Sequence, residues 1–355
     1  MRAIAALSLA LFALAAPLHA QTSKVERVNT FVAEAMTGYK VPGAAIAVIE
    51  NGEVILARGY GYANLEHGIL VTTETIFQSG SVGKQFTAVV VMLLVEEGKL
   101  GLDDSITKWL PKAPKAWKPI TIRHLLNHTA GLPGINDVPD THLDLRRDYT
   151  DDELAAAAFK LKLLFPPGVR WAYSNDGYDL LGIVIAKASG HFYGDLLRDR
   201  VFAPLGMKTA RVIDEEDLIP GRAAGYRIKN NEIKNQEWVA PSHNRSAAGG
   251  LYLSLKDFIA WDKGLREKAL LKAESWAAIY EPGRLIKGYT ASYGFGWNLS
   301  EYAGRAHYWH SGGWQGFRAQ ISRFGPDDRT VLVLCNSASC KSSLMVQGIV
   351  GALDR

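Results

Sequence analysis

Residues 77–102 read FQSGSVGKQFTAVVVMLLVEEGKLGL, and the reading of the chain turns on this stretch. Ser81 stands at the mouth of an apolar run, with Lys84 three residues later. Phe86, Val89, Val90, Leu93 and Leu94 recur at helical intervals, which predicts a helix buried along one face until Gly98 ends it. Positions i and i+3 share a helix face, so the Lys84 amine can reach the Ser81 hydroxyl, while backbone N–H groups of the first turn favour negative charge developing beside them. A serine with a base in reach is the arrangement nucleophilic catalysis requires, and a serine at a helix start is also an ordinary cap. The spacing alone does not separate the two, because Ser-x-x-Lys recurs as Ser105-Ile106-Thr107-Lys108. Ser105 follows GLDD and opens a short segment that ends at a proline, which reads as a simple N-cap.

The surroundings are those of an exported globular protein. The 355 residues are 48% hydrophobic and 21% charged, which excludes disorder and allows an ample core. The formal charge of +4, spread without long blocks of one sign, gives no basis for nucleic-acid binding. Met1-Arg2, an apolar stretch from Ala3 to Ala16 and Pro17-Leu18-His19-Ala20 read as a secretory signal peptide, residues 1–20, cleaved after Ala20. The apolar stretch is shorter than a bilayer span, and none of sufficient length follows, so the mature chain is expected in the periplasm or outside the cell without a membrane span. In such a compartment Cys335 and Cys340 could form a bridge or remain thiols.

Along the chain, residues 23–38 predict a first helix, and two apolar runs joined by Asn51-Gly52 predict a β-hairpin. A mainly helical middle follows, punctuated by loops such as PKAPKAWKP and FPPG. The tail returns to strands in SYGFGWNL, RAHYWHSGG and FRAQISRFGPDDRTVLVLCN, then closes on the helix SLMVQGIVGALD. This order predicts an α/β (α+β) fold in which one sheet is assembled from both chain ends. Residues 21–355 then form one catalytic domain, with an α/β lobe of about 21–80 and 285–355 and a mainly helical lobe of about 81–284.

Two further motifs accompany Ser81 and Lys84. Tyr173-Ser174-Asn175 stands at the start of a second amphipathic helix, and His310-Ser311-Gly312-Gly313 lies on a strand. Together they resemble, in order and wide spacing, the Ser-x-x-Lys, Tyr-x-Asn and Lys-Thr-Gly or His-Thr-Gly motifs of the serine β-lactamase and penicillin-binding protein superfamily. The similarity is to its class C β-lactamase-like side, which includes D-alanyl-D-alanine carboxypeptidases and esterases. TIRHLLNHTAGLP and AAGGLYLSLKDFIAW are similar as well, and the resemblance covers about residues 24–350.

The resemblance implies an antiparallel sheet flanked by helices and an acyl-enzyme on Ser81, with Lys84 and Tyr173 sharing the proton transfers. It implies an oxyanion hole from the backbone N–H groups of Ser81 and Gly313. Asn175, His310, Ser311, Gly312 and Trp314 are implied in substrate binding, and Asn175 could also act as an Asx cap. No cofactor and no metal is implied. The expected partner is a small-molecule or peptide substrate with an ester or amide carbonyl. His310 stands where most class C β-lactamases carry lysine. A histidine half charged near pH 6.5 would bind a carboxylate more weakly and in a pH-dependent way. Trp171, Trp297, Trp309 and Trp314 lie near the motifs, and an aromatic pocket would suit an apolar acyl group. An esterase or peptidase-like amidase therefore fits before a D-alanyl-D-alanine carboxypeptidase, and both before a β-lactamase.

Other readings fit less of the chain. The α/β-hydrolase elbow Gly-x-Ser-x-Gly has Ser79 in place of its first glycine. His124 and His128 in HLLNH lack the glutamate and third ligand of a zinc site. A non-catalytic protein binding a cell-wall peptide or partner would not need Ser81, Lys84, Tyr173 and Asn175 together.

Overall fold

Ser23 caps the first helix, α1 (Lys24–Tyr39), accepting from the Glu26 N–H while the Glu26 carboxylate accepts from the Ser23 N–H. Helix α1 runs past Gly38 and closes at Lys40, which takes the left-handed conformation at φ 53°. The predicted hairpin follows as β1 (Gly43–Glu50) and β2 (Glu53–Asn64). Asn51 and Gly52 both have positive φ, 50° and 85°, as a two-residue turn matched to strand twist requires. The computed structural model describes residues 23–138, 142–212, 217–325 and 328–355. The expected signal peptide, residues 1–20, lies outside the described residues, as do Pro326 and Asp327 of the Gly-Pro-Asp-Asp turn.

The main sheet adds β3 (Ile69–Leu70) and four strands from the other chain end: β4 (Asn298–Tyr302), β5 (Arg305–Trp314), β6 (Phe317–Phe324) and β7 (Arg329–Cys335). Its seven strands run in the order β4-β5-β6-β7-β1-β2-β3, every neighbouring pair antiparallel. Strand β1 joins the two chain ends and is buried on both faces. Ala44, Ile46 and Val48 face α1 and the last helix, α5 (Ser342–Leu353), while Ala45, Ala47 and Ile49 belong to the larger core around Ser81. SYGFGWNL becomes strand only from Asn298, because Gly296, at φ 78°, breaks the extended run before it.

The larger core is built on α2 (Lys84–Glu96), which is buried all round from Lys84 to Leu94 rather than along one face. Phe86 stacks on Trp261 of α4 (Leu255–Arg266) at 4.0 Å between ring centroids, and the Trp261 indole N–H donates to Gln85 Oε1 at 3.0 Å. Helix α3 (Asn175–Ser189) packs beside α2. Short strands also occur, one at the end of the first α/β segment and the others within the region that the sequence reading gave as mainly helix and loop. Ile76–Gln78, Leu251–Ser254 and Arg211–Val212 form a three-stranded sheet, and Tyr226–Lys229 pairs with Glu232–Asn235. Strands of two to four residues are too short to show a period of their own. Among the described residues, no helix is long and apolar enough to cross a membrane.

Candidate active site

Ser81 sits in a short 3-10 turn, Gly80–Gly83, that leads directly into α2. With three residues per turn, positions i and i+3 eclipse one another, and Lys84 Nζ comes within 3.2 Å of Ser81 Oγ. Ser81 does not cap α2: neither the turn nor the helix receives a side-chain cap at its start. Ser105, by contrast, accepts from the Thr107 N–H as the cap of its own short turn.

Lys84 is fully buried, and no carboxylate lies at hydrogen-bond distance among its described partners. Its Nζ also donates to Asn175 Oδ1 and to the Ala248 carbonyl, each at 2.7 Å. Asn175 is thereby directed at Lys84, and the cap of α3 is its neighbour Ser174, which accepts from the Gly177 N–H at 3.2 Å. The Ala248 carbonyl lies in a loop fixed from two sides. Thr87 Oγ1 donates to the Ala247 carbonyl at 2.7 Å, and Ser246 Oγ donates to Asp179. Burial raises the Asp179 pKa above the usual carboxylate value.

Strand β5 closes against the serine turn through glycines. Gly80 has φ 52°, and a Cβ there would collide with the Gly313 backbone nitrogen, while a Cβ on Gly312 would collide with the Ser79 carbonyl oxygen. The strand carrying Gly313 therefore lies directly on the turn carrying Ser81.

Tyr173 is partly exposed, with its ring 4.9 Å from Lys84 Nζ. The residues on either side of it are held by one histidine. The Ala172 N–H donates to the His128 carbonyl at 2.9 Å, and the Ser174 N–H donates to His128 Nδ1 at 3.2 Å. His128 is buried, adopts φ 61°, and packs its ring 4.3 Å from that of Tyr173. Burial lowers its pKa well below the usual histidine value, with the Lys84 charge adding to the effect, so the ring is neutral and Nδ1 can accept.

His310 departs from the sequence expectation. It is buried, its Nδ1–H donates to the Ser311 carbonyl at 2.6 Å, and its Nε2 accepts from the Tyr293 hydroxyl at 2.8 Å. Burial, with the Lys84 charge in support, brings its pKa to about 3. It stays neutral across the physiological range, so it cannot be the half-charged carboxylate anchor expected from an exposed imidazole. The tryptophans also divide. Trp314 lines the cavity and donates to Asn244 Oδ1 at 2.7 Å, and half-exposed Trp171 packs near Tyr173 and His128. Trp297 is core, and Trp309 stacks on His307.

Ser81, Asn175, Ala248 and Gly313 open onto a cavity of about 530 Å³. Part of its wall comes from the loop GINDVPDTHLDLRRDYTDD, including Asp137, Tyr149 and Asp151. Among the described residues of the lining, Asp176 and Asp179 complete a set of four carboxylates, against the single guanidinium of Arg245. Asp176 accepts from the Ile135 N–H at 2.9 Å; burial and the neighbouring Asp179 charge raise its pKa to about 6. Asp176 directly follows Asn175 and Asp179 lies one turn further on the same helix, which was the available sequence signal, while Asp137 reaches the cavity only through the fold.

A sheet of this topology with a buried lysine bonded to a serine at its cleft defines a serine hydrolase of the β-lactamase and transpeptidase fold. The sequence profile of the Beta-lactamase family matches residues 28–343, and the chain belongs to that family. It is 32% identical over 307 residues to Penicillin-binding protein 4* of Bacillus subtilis (strain 168), covering 82% of this chain and 67% of that one. It is 27% identical to a D-aminopeptidase of Gluconobacter oxydans (strain 621H), covering 92% of this chain and 62% of the relative's length. Among solved structures, the D-amino acid amidase of Ochrobactrum anthropi SV3, complexed with L-phenylalanine amide, superposes with a TM-score of 0.80 at 26% identity, covering 93% of this chain and 98% of that one.

Proposed function

We propose that the chain is an exported hydrolase that cleaves amides and esters of D-amino acids bearing a free amine, through an acyl-enzyme on Ser81. The observation that carries this reading is the Lys84 Nζ to Ser81 Oγ hydrogen bond on the wall of a cavity rich in carboxylates. The likeness to a D-aminopeptidase and a D-amino acid amidase supports the substrate class.

The hydrogen-bond tally supports Lys84 as the base. Asn175 Oδ1 and the Ala248 carbonyl can only accept, so Lys84 in its amine form uses both N–H bonds on them and directs its lone pair at the Ser81 hydroxyl. After taking the Ser81 proton, the ammonium keeps the same three partners, and no group reorganises. Ser81 Oγ attacks the carbonyl, and the oxyanion is received by the N–H groups of Ser81 and Gly313, each worth about 3 to 4 kcal/mol in such a hole. The proton passes to the leaving amine or alcohol, with Tyr173, whose ring lies beside Lys84 Nζ, as the relay. Water then releases the acyl group by the reverse path.

The test is turnover of D-phenylalanine p-nitroanilide and methyl ester, their L forms and their N-acetylated forms, with intact-mass detection of the acyl adduct. Free-amine D substrates should exceed their N-acetylated counterparts about tenfold or more in kcat/KM. Equal or better turnover of the acetylated forms would sink the proposed substrate class. Asp176 adds a pH signature. Below about pH 6 its carboxyl is neutral and above it is ionised, so KM for amine-bearing substrates should fall as pH rises through 6. Asp176→Asn should remove that step.

His128 acts as a positioning residue for Tyr173. His128→Gly accepts the positive φ but loses the acceptor for the Ser174 N–H. It should lower kcat about 10²-fold while KM changes little, and it should lower Tm, because the buried ring that packs against Tyr173 is removed. His128→Asn, whose Oδ1 can take that N–H and which tolerates the left-handed conformation, should restore most of kcat. Equal kcat in the two variants would mean that only backbone shape matters at this position.

A further inference from the structure

Both acceptors that direct Lys84 trace back to one face of α3. Asn175 Oδ1 takes one Nζ–H bond at 2.7 Å, and the Ala248 carbonyl takes another at the same distance. Asp179 stands one turn after Asn175, and Gly182 follows at the next step, so the three positions share a face at i, i+4 and i+7. A Cβ on Gly182 would come within 2.7 Å of the Ala247 Cβ, so the segment 246–248 lies directly on the helix there. Asp179 Oδ1 accepts from the Ser246 hydroxyl and, at 3.4 Å, from the Ala248 N–H. The Ser246 oxygen itself accepts from the Ala248 N–H at 3.0 Å, which requires its own hydrogen to be turned away, and Asp179 receives that hydrogen. The carboxylate thus fixes a rotor that would otherwise move among staggered positions. The rigid peptide between Ala247 and Ala248 is held at both ends, its carbonyl by Thr87 of α2 at 2.7 Å and its N–H by Ser246 and Asp179. The next carbonyl along, that of Ala248, is the one aimed at Lys84.

We propose that Asp179 is a positioning residue for the general base, holding the Ala247–Ala248 peptide so that the Ala248 carbonyl stays on Lys84 Nζ and the Lys84 lone pair stays on Ser81. The assignment rests on the reading of Lys84 as the base. An amine has two N–H bonds and one lone pair, so its direction is defined only while both acceptors keep their places. With the Ala248 carbonyl displaced, the amine turns about its Cε–Nζ bond, and the lone pair spends less time on the Ser81 hydroxyl. Among its described partners, Asp179 bonds to neither Ser81 nor Lys84 and acts through the segment beside them. It lines the same cavity as Asp176, yet its Oδ1 is committed to that segment. One helix therefore sets the base twice, directly through Asn175 and indirectly through Asp179.

The experiment measures single-turnover acylation of Ser81 by saturating D-phenylalanine methyl ester, so that any effect on substrate affinity drops out. Asp179→Ala should lower the acylation rate about 10²-fold. Asp179→Asn keeps an oxygen for the Ser246 hydroxyl and the Ala248 N–H and should stay within about threefold of the unaltered protein. Ser246→Ala removes the same link from its other end and should lower the rate about tenfold, and the double alanine variant should be no slower than Asp179→Ala alone. An unaltered rate in Asp179→Ala, an asparagine variant as slow as the alanine variant, or losses that multiply in the double variant would overturn the assignment. If Asp179→Ala does not fold, Ser246→Ala carries the test, and an unaltered rate there overturns it equally. Lys84→Met separates this proposal from the reading beneath it. If that variant acylates at the unaltered rate, Lys84 is not the base; if it is slow while Asp179→Ala is not, only the positioning role fails.

Discussion

Ser81→Ala is expected to lower kcat/KM for any D-aminoacyl ester or amide by about 10⁴-fold or more and to abolish the acyl adduct, while leaving the thermal midpoint unchanged or raised. The second half of this expectation discriminates between the two roles a serine could have here. A serine serving only as a cap costs about 1 kcal/mol when replaced by alanine, which lowers Tm by about 1 to 2 °C in a chain of this length and leaves chemistry alone. Ser81 makes no capping bond, and its hydroxyl is hydrogen-bonded with Lys84 Nζ. Its removal therefore takes the nucleophile and little else. Intact-mass spectrometry after mixing with substrate, beside a thermal melt of the same sample, reads both quantities. Lost stability with retained turnover would return Ser81 to a structural role.

What the sequence made legible follows the range of the interactions involved. The Asn51-Gly52 turn and the Ser23 start of α1 depend on neighbours within four residues, and both stand as read. The spacing of Ser81 and Lys84 was equally readable, because three residues bring them together in either type of helical turn. The cap of α3 fell one residue from the expected place, on Ser174. The Asn175 side chain had a stronger claim on it, a buried lysine 91 positions away. His310 was misread for the same reason. An imidazole near pH 6.5 is the right starting point for an exposed ring, and only the Tyr293 hydroxyl, the Ser311 carbonyl and the surrounding core reveal a pKa of about 3. The Ala248 partner of Lys84 was invisible in principle, since a backbone carbonyl belongs to every residue type. The disulfide could not be decided from two cysteines five positions apart, and the turn after β7 that joins them is a property of the fold.

Lys84→Met should lower the rate of acyl-enzyme formation about 10²- to 10⁴-fold, the range for loss of a general base, and leave Tm no lower than that of the unaltered protein. The two halves have one cause. Lys84 is held in a fully buried place without a carboxylate at bonding distance among its described partners, an arrangement that lowers folding stability and places Nζ beside the nucleophile. Methionine fills nearly the same volume without a charge to desolvate. Asn175, at the exposed end of the contact, can turn its freed oxygen toward water, so the Ala248 carbonyl is the principal acceptor left unmet. Chemical rescue separates a base from a mere source of positive charge. Lys84→Ala leaves a cavity of alkylamine size, and added ethylamine should restore acylation in proportion to its unprotonated fraction as pH is raised. Restoration that instead follows the protonated fraction would make Lys84 an electrostatic group and pass the role of base to Tyr173. A loss below tenfold in Lys84→Met would remove Lys84 from proton transfer altogether.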